Sequence, residues 1–432
     1  MITVLVSGQS LPINADNALS PLERLGYLTQ LSLNFDCSTE LFGGACAAFA
    51  TSSSSSKLML WVDCKEVEPL TVDHEYWAWL AYTFWSKASK CSVRDLTIRG
   101  IGLSCRGIAA FEATLQQNYP KAELDIVPTT SSHSCEYGYV NIQAGVQLNL
   151  MDNRNVDYVL LHDCRCRAQY DSTTNSDVVE AIVPGYGMCT VALNEGRCEF
   201  LPDKSGVIVS TPNDLQSLKL DFAKVESEVI LMNLLTHIGG NLRSLTLELN
   251  NETVYSANNR IASIDLSGVM NACPHLEEIT FQNIQVYLSP YSELRNWNLK
   301  KLAMYDVDDD NSLNVCLRVL DDETLRTSRE LVELDISLPR FGTRPYSTIQ
   351  NHVAAMVTHD RKFLPVAKDK FPIESKAAMI SVLSYNQPLE PSSVVHLLNP
   401  RILSLVFEYA ATAEQRSVQI TYLGRPVGVG LH

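Results

Sequence analysis

The sequence predicts an α/β solenoid of stacked strand-loop-helix units, with a parallel sheet on the concave side and helices on the convex side. Three observations predict it. An apolar triplet spaced x, x+3, x+5 recurs along nearly the whole chain. A loop and an apolar stripe at helical spacing follow the triplets. The intervals between triplets leave no unassigned stretch long enough for a separate core.

The clearest triplets are Leu28, Leu31, Leu33; Leu215, Leu218, Leu220; Leu242, Leu245, Leu247; Leu276, Ile279, Phe281; Leu299, Leu302, Met304; and Leu331, Leu334, Ile336. Less regular copies fill the gaps: Ser55, Leu58, Leu60; Val93, Leu96, Ile98; Lys121, Leu124, Ile126; Val156, Val159, Leu161; Met188, Val191, Leu193; and Ala377, Ile380, Val382. The last two apolar residues of each triplet point to one face of a strand and the residue between them to the other. The helical stripe is best seen in Leu231, Leu234, Leu235, Ile238 and in Trp77, Leu80, Ala81, Phe84, Trp85. Pro120 and Pro274 stand just before new triplets, where a proline ends the preceding helix. The expected division is an N-terminal cap over residues 1–27, repeats over 28–376, and a last repeat with a C-terminal cap over 377–432.

With Ala272, Cys273, Pro274, His275, Leu276, Glu277, Glu278, Ile279 as its most typical stretch, the chain resembles the leucine-rich-repeat family in its long, ribonuclease-inhibitor-like form, LxxLxLxx(N/C)xL. The resemblance covers about residues 28–382. Only Cys164 and Asn250 fill the ninth position with the family's Asn or Cys, so an irregular horseshoe is expected. The resemblance implies that protein partners bind on the concave sheet.

In this register three columns face the concavity, running from Gln30 to Glu333, from Ser32 to Asp335 and from Asn34 to Ser337. Eight acids stand in them against four bases, which favours a protein partner with a basic patch. Trp61, Tyr158, His162 and Tyr305 are the large side chains, and with Arg99, Glu333 and Asp335 they are the candidate contacts, since exposed aromatics dominate interface energetics.

Composition fits a folded, soluble chain of 432 residues, 46% hydrophobic and 19% charged. The net charge of −15 disfavours nucleic acid and anionic lipid, and no run approaches the length of a membrane span. Met1 to Ser10 lacks a basic stretch and a cleavage site, so the expected address is the cytoplasm, with the nucleus possible. The 12 cysteines show no scaffold spacing and are expected to be reduced thiols, mostly buried. His162, Cys164, Cys166, Cys189 and Cys198 match no zinc spacing. Asp306, Asp308 and Asp310 begin like a calcium loop, but Asn311 and Leu317 stand where glycine and glutamate are needed. No phosphate loop, nucleophile elbow or paired histidine motif occurs, so no cofactor, metal or catalysis is expected. Tyr76, Trp77, Trp79, Tyr82, Phe84 and Trp85 are read as core.

At the C-terminus a helical stripe runs over Val394–Ala411, and Ser417–Tyr422 reads as a strand with Val418 and Ile420 on one face. Both are expected to cap the array. Leu398 to Ala410 is also similar to the start of an F-box, roughly LPxxILxxIFxYL, which implies the alternative of a substrate adaptor of a ubiquitin ligase.

Overall fold

The computed structural model describes residues 2–6, 9–13, 30–35, 39–51, 57–62, 70–120, 135–150, 157–171, 177–193, 196–202, 215–249, 264–289, 297–307, 310–338, 346–365, 373–383, 399–410, 414–422 and 425–426. They fall into two compact units, Met1–Leu276 with Phe281–Gln285, and Glu277–Thr280 with Val286–His432.

The first unit opens with β1 (Ile2–Val6), β2 (Gln9–Ile13), β3 (Gln30–Phe35), helix α1 (Thr39–Ala50) and β4 (Lys57–Val62). Helix α2 (Asp73–Leu80), extended by a π-helical turn over Ala81–Trp85, leads to β5 (Asp95–Leu103) and α3 (Cys105–Gln117). Seven strands follow: β6 (Cys135–Ile142), β7 (Gln147–Leu150), β8 (Asp157–Val159), β9 (Cys164–Asp171), β10 (Val178–Val183), β11 (Gly187–Ala192) and β12 (Cys198–Pro202). The strand-helix alternation then resumes with β13 (Ser217–Val225), α4 (Glu228–Ile238), β14 (Ser244–Leu249), β15 (Ile264–Asp265) and α5 (Leu266–Ala272). The division between units passes through β16 (Glu278–Gln282). The second unit holds β17 (Val286–Tyr287), β18 (Lys301–Tyr305), α6 (Asp310–Asp321), α7 (Arg326–Glu330), β19 (Glu333–Leu338), α8 (Tyr346–Val357), α9 (Ile373–Leu383), α10 (Pro400–Ala410), β20 (Ser417–Tyr422) and β21 (Arg425–Pro426).

The fold is α/β with a large parallel sheet. In the first unit its order is β2-β1-β3-β4-β5-β13-β14, parallel from β3 to β14. In the second the order is β18-β19-β20-β21, the first three parallel. From β3 to β14, and again from β18 to β21, each strand pairs with the next strand of the same sheet in the chain, the order expected of stacked repeats. The triplets account for it. Leu58 and Leu60, Leu96 and Ile98, Leu218 and Leu220, Leu245 and Leu247, Leu302 and Met304, and Leu334 and Ile336 are all buried. Lys57, Asp95 and Glu333, one residue before these, are exposed on the other face. Helix α4 buries Leu231, Leu234, Leu235 and Ile238, and α3 and α5 both end before their prolines.

Within the first unit, helix starts are tied to neighbouring elements by carboxylates. Asp73 Oδ2 accepts from Ser104 N and Glu226 Oε2 from Cys105 N, each at 2.7 Å, at the start of α3. Glu228 Oε1 does the same for Asp265 N, the residue before α5, at 2.9 Å. These bonds satisfy amides that a helix leaves without partners.

A second sheet corrects the expectation of one uninterrupted array. Strands β6 to β12 form an antiparallel sheet in the order β12-β6-β9-β10-β11-β7-β8, inserted between β5 and β13. Val159 therefore lies in β8 and Met188 and Val191 in β11, not in parallel repeats. A half-buried antiparallel strand alternates with the same period of two as the end of a repeat triplet, so the pattern alone does not separate them. The third misassigned copy, Ala377, Ile380 and Val382, lies in α9, because a spacing of three is also helical. Lys121, Leu124 and Ile126 lie outside the described residues.

The second sheet explains a helix with no polar side. Every residue of α1 from Phe42 to Ala50 is buried. Gly43 lies so close to Trp79 that a Cβ would sit 2.6 Å from the indole, and a Cβ on Gly44 would sit 2.9 Å from Gly185 O. Gly185 N, in the turn joining β10 to β11, donates to Gly44 O at 3.1 Å. Tyr82 of the π-helical turn faces Cys166, Arg167 and Tyr139 of the second sheet, and burial pushes its phenol up. Helices at this end of the unit thus pack between two sheets, which is why Tyr76, Trp79 and Tyr82, off the stripe read from the sequence, are buried too.

Candidate functional site

The face of the parallel sheet opposite the helices carries the candidate site. Strand register fixes its columns. Lys57 aligns with Asp95, Ser217 and Ser244; Met59 with Thr97, Lys219 and Thr246; Trp61 with Arg99, Asp221 and Glu248. In the second unit Lys301 aligns with Glu333 and Ser417, and Ala303 with Asp335 and Gln419. These alignments follow the columns expected from the sequence.

Trp61 is 42% exposed at the end of β4. The Arg99 guanidinium lies over its ring, 5.2 Å from the centroid, and Arg99 Nε donates to Asp221 Oδ2 at 2.7 Å. Burial raises the Asp221 carboxyl; the hydrogen bond from Arg99 opposes that shift and the neighbouring Glu248 adds to it. Lys219 Nζ pairs with Glu248 Oε2 at 2.7 Å. An aromatic ring and two ion pairs therefore run across four strands. The stacked, hydrogen-bonded Arg99 presents Trp61 in one fixed orientation, a low-entropy anchor.

In the second unit Lys301 Nζ pairs with Glu333 Oε2 at 2.7 Å. That hydrogen bond raises the Lys301 ammonium, with further support from the charges of Glu333, Glu278 and Asp335. Tyr305 Oη donates to Asp335 Oδ2 at 2.8 Å, and burial, then this bond, pushes its phenol up to about 12. One base among three acids leaves the described columns of this unit acidic, whereas in the first unit Lys57, Arg99 and Lys219 match Asp95, Asp221 and Glu248. Among the described residues, the acidity expected of the columns is greatest around Tyr305.

Five of the seven candidate contacts, Trp61, Arg99, Tyr305, Glu333 and Asp335, stand on the parallel sheet. Tyr158 and His162 do not. Tyr158 is in β8, an edge strand of the antiparallel sheet, with its ring 6.0 Å from Tyr186, and His162 is exposed just beyond it. Leu160, placed in the second column by the sequence, is buried beside them. Column residues Glu123, Asp125, Val127 and Asn194 lie outside the described residues. The sequence reading missed Ser417, Gln419 and Thr421 of β20, which extend the columns beyond β19. Their signal was present: Val418 and Ile420 are buried on one face as expected, but were assigned to a cap.

Among the described residues no group of His, Cys, Asp or Glu is arranged to hold a metal ion. Among the same residues no helix is long and apolar enough to cross a membrane. Compared with family models, with curated proteins and with solved structures, the chain matches none.

Proposed function

We propose that the chain is a non-catalytic recognition module, a solenoid of leucine-rich-repeat-like units, whose open sheet face binds a protein partner carrying basic residues. The observation that carries this reading is the held tryptophan: Trp61 stands exposed on a sheet face with Arg99 stacked on it and tied to Asp221. Buried or stacked aromatic and arginine anchors supply most of the energy of protein interfaces. On the second unit, the acidic patch around Tyr305 would attract a basic partner.

Crosslinking mass spectrometry from native extract identifies the partner, and affinities then test the face. Trp61→Ala combined with Tyr305→Ala should weaken binding by more than ~2 kcal/mol. Charge reversal at Glu333 and Asp335 should slow association and reduce its salt dependence. Tyr158→Ala, on the other sheet, and substitutions at the exposed Lys87 and Lys90 should do little. Unchanged affinity in the double variant, with crosslinks on the helices, refutes the reading.

A second reading, an F-box-like adaptor using α10, draws support from one observation: Ile402 and Leu405 of that helix are exposed apolar side chains. Recovery of a ubiquitin-ligase subunit with the wild-type chain, lost on Ile402→Asp with Leu405→Asp, would select it.

A further inference from the structure

Among the described side chains, the antiparallel sheet holds four thiols that the recognition face does not use. Strand β9 begins Cys164, Arg165, Cys166, so strand alternation turns both thiols to the same side. Cys198 of β12 and Cys164 of β9 pair with Ile142 of β6 from opposite sides, which places them in one row. Cys189 of β11 pairs with Ala181 of β10, which pairs with Ala168, two residues past Cys166. Cys166 is buried, while Cys164, the first residue of its strand, is partly exposed.

Spacing decides which of the four can bridge. A disulfide needs a Cα separation below about 7 Å. Cys164 and Cys198 stand two strands apart, roughly 9.5 Å in a sheet, and Cys166 and Cys189 are further apart still, being offset by two residues as well. Cys164 and Cys166 are two residues apart on one strand, roughly 6.6 Å, within reach. Closure must also draw the two Cβ atoms in to about 4 Å, which puckers the first three residues of β9 where they pair with β6.

We propose that Cys164 and Cys166 form a reversible redox modification site, in which the partly exposed Cys164 is oxidised by a hydroperoxide and the buried Cys166 closes an intrastrand disulfide with it. In the first step Cys164 Sγ attacks the terminal peroxide oxygen. The S–O bond forms, the O–O bond breaks, and the thiol proton leaves with the departing oxygen as alcohol, or as water when the oxidant is hydrogen peroxide. In the second step Cys166 Sγ attacks the Cys164 sulfenic sulfur. The S–S bond forms, the S–O bond breaks, and the hydroxide departs with the Cys166 proton as water. Two thiols are oxidised by two electrons and one peroxide is reduced. The division of roles follows from the surroundings: the hydrogen bond with Cys164, then burial, holds the Cys166 thiol well above the ordinary range, so the proton stays on Cys166. Access to oxidant belongs to Cys164.

The test is stoichiometric hydrogen peroxide on the full chain, followed by alkylation, digestion and mass spectrometry. The peptide holding Cys164 and Cys166 should lose two hydrogens and escape alkylation, and dithiothreitol should restore it. Cys166→Ser should leave a dimedone-reactive sulfenic acid on Cys164. The exposed Cys105 is the internal comparison. Oxidation of Cys105 while Cys164 and Cys166 stay alkylated would overturn the proposal. So would a disulfide from either residue to Cys189 or Cys198. The wild-type measurement decides the matter even where a serine variant folds poorly.

Discussion

Gly44→Ala and Gly240→Ala are the same chemical change, and the structure gives them opposite signs. Gly44 is buried in α1, with its carbonyl accepting from Gly185 N and a Cβ placed 2.9 Å from Gly185 O. The obstacle is backbone, which cannot rotate away. Helix propensity favours alanine by roughly 1 kcal/mol, overpacking costs roughly 1–3 kcal/mol, and losing the bond to Gly185 costs roughly 1 kcal/mol. The sum is a loss of about 1–3 kcal/mol. Gly240 is exposed, with nothing within 4 Å of a Cβ, so alanine there should be neutral or stabilise by about 0.5 kcal/mol through the unfolded chain. Urea unfolding followed by tryptophan fluorescence reads both, because Trp79 lies against Gly43 of α1. A Gly44→Ala midpoint equal to or above that of Gly240→Ala would refute the packing of the antiparallel sheet on this helix.

Three further outcomes are expected. Arg416 is buried, Nε donating to Leu331 O at 3.0 Å and Nη2 to Ser328 O, at the end of α7. Arg416→Met leaves those carbonyls unpaired and should lower unfolding stability by about 3 kcal/mol, whereas loss under ~1 kcal/mol would show the bonds to be dispensable. Burial raises the carboxyls of Asp73, Glu180, Asp221 and Asp306, so the folded chain takes up protons before the unfolded one does. Their contribution to stability is fully present below the ordinary carboxylate range near 4 and is lost as pH rises through the raised values. Urea midpoints should therefore rise from about pH 7 to about pH 5, and Asp73→Asn should flatten that slope; an unaltered slope counts against Asp73. Finally, none of the nine described cysteines is in a disulfide, so reductant should leave the melting temperature of freshly reduced protein unchanged. A fall of several degrees would reveal a structural disulfide.

The parallel sheet was legible because each unit buries the same two positions. Leu218 and Leu220, or Leu334 and Ile336, face helices, and the residue between them faces away. That single rule also placed Trp61, Arg99 and Asp221 in one row. It failed between residues 135 and 202, where Val159 and Val191 alternate like a repeat although the chain turns back on itself. A physical signal of the second sheet stood elsewhere. Leu41 to Ala50 has no polar side, and aromatic residues surround Tyr76 to Trp85, so both segments need cover on more than one side. Side-chain pairing within the face was not legible, since the partner of Arg99 lies 122 residues away and depends on strand register.

That separation has a kinetic consequence. The bond from Arg99 to Asp221 closes the seam between β5 and β13, and every seam residue must wait until the intervening chain has looped back. Loop-closure entropy grows only as the logarithm of length, so a detour of this size costs little more than about 1 kcal/mol over an ordinary unit. Equilibrium stability scarcely registers it. Rate does, because the ends of β5 and β13 are exposed strand edges while they wait. During synthesis α1, α2 and α3 emerge before either of their covering sheets is complete. The antiparallel insert then acts as a timer: until its strands settle over α1, the apolar underside stays open and the β5 edge stays available to the wrong strand.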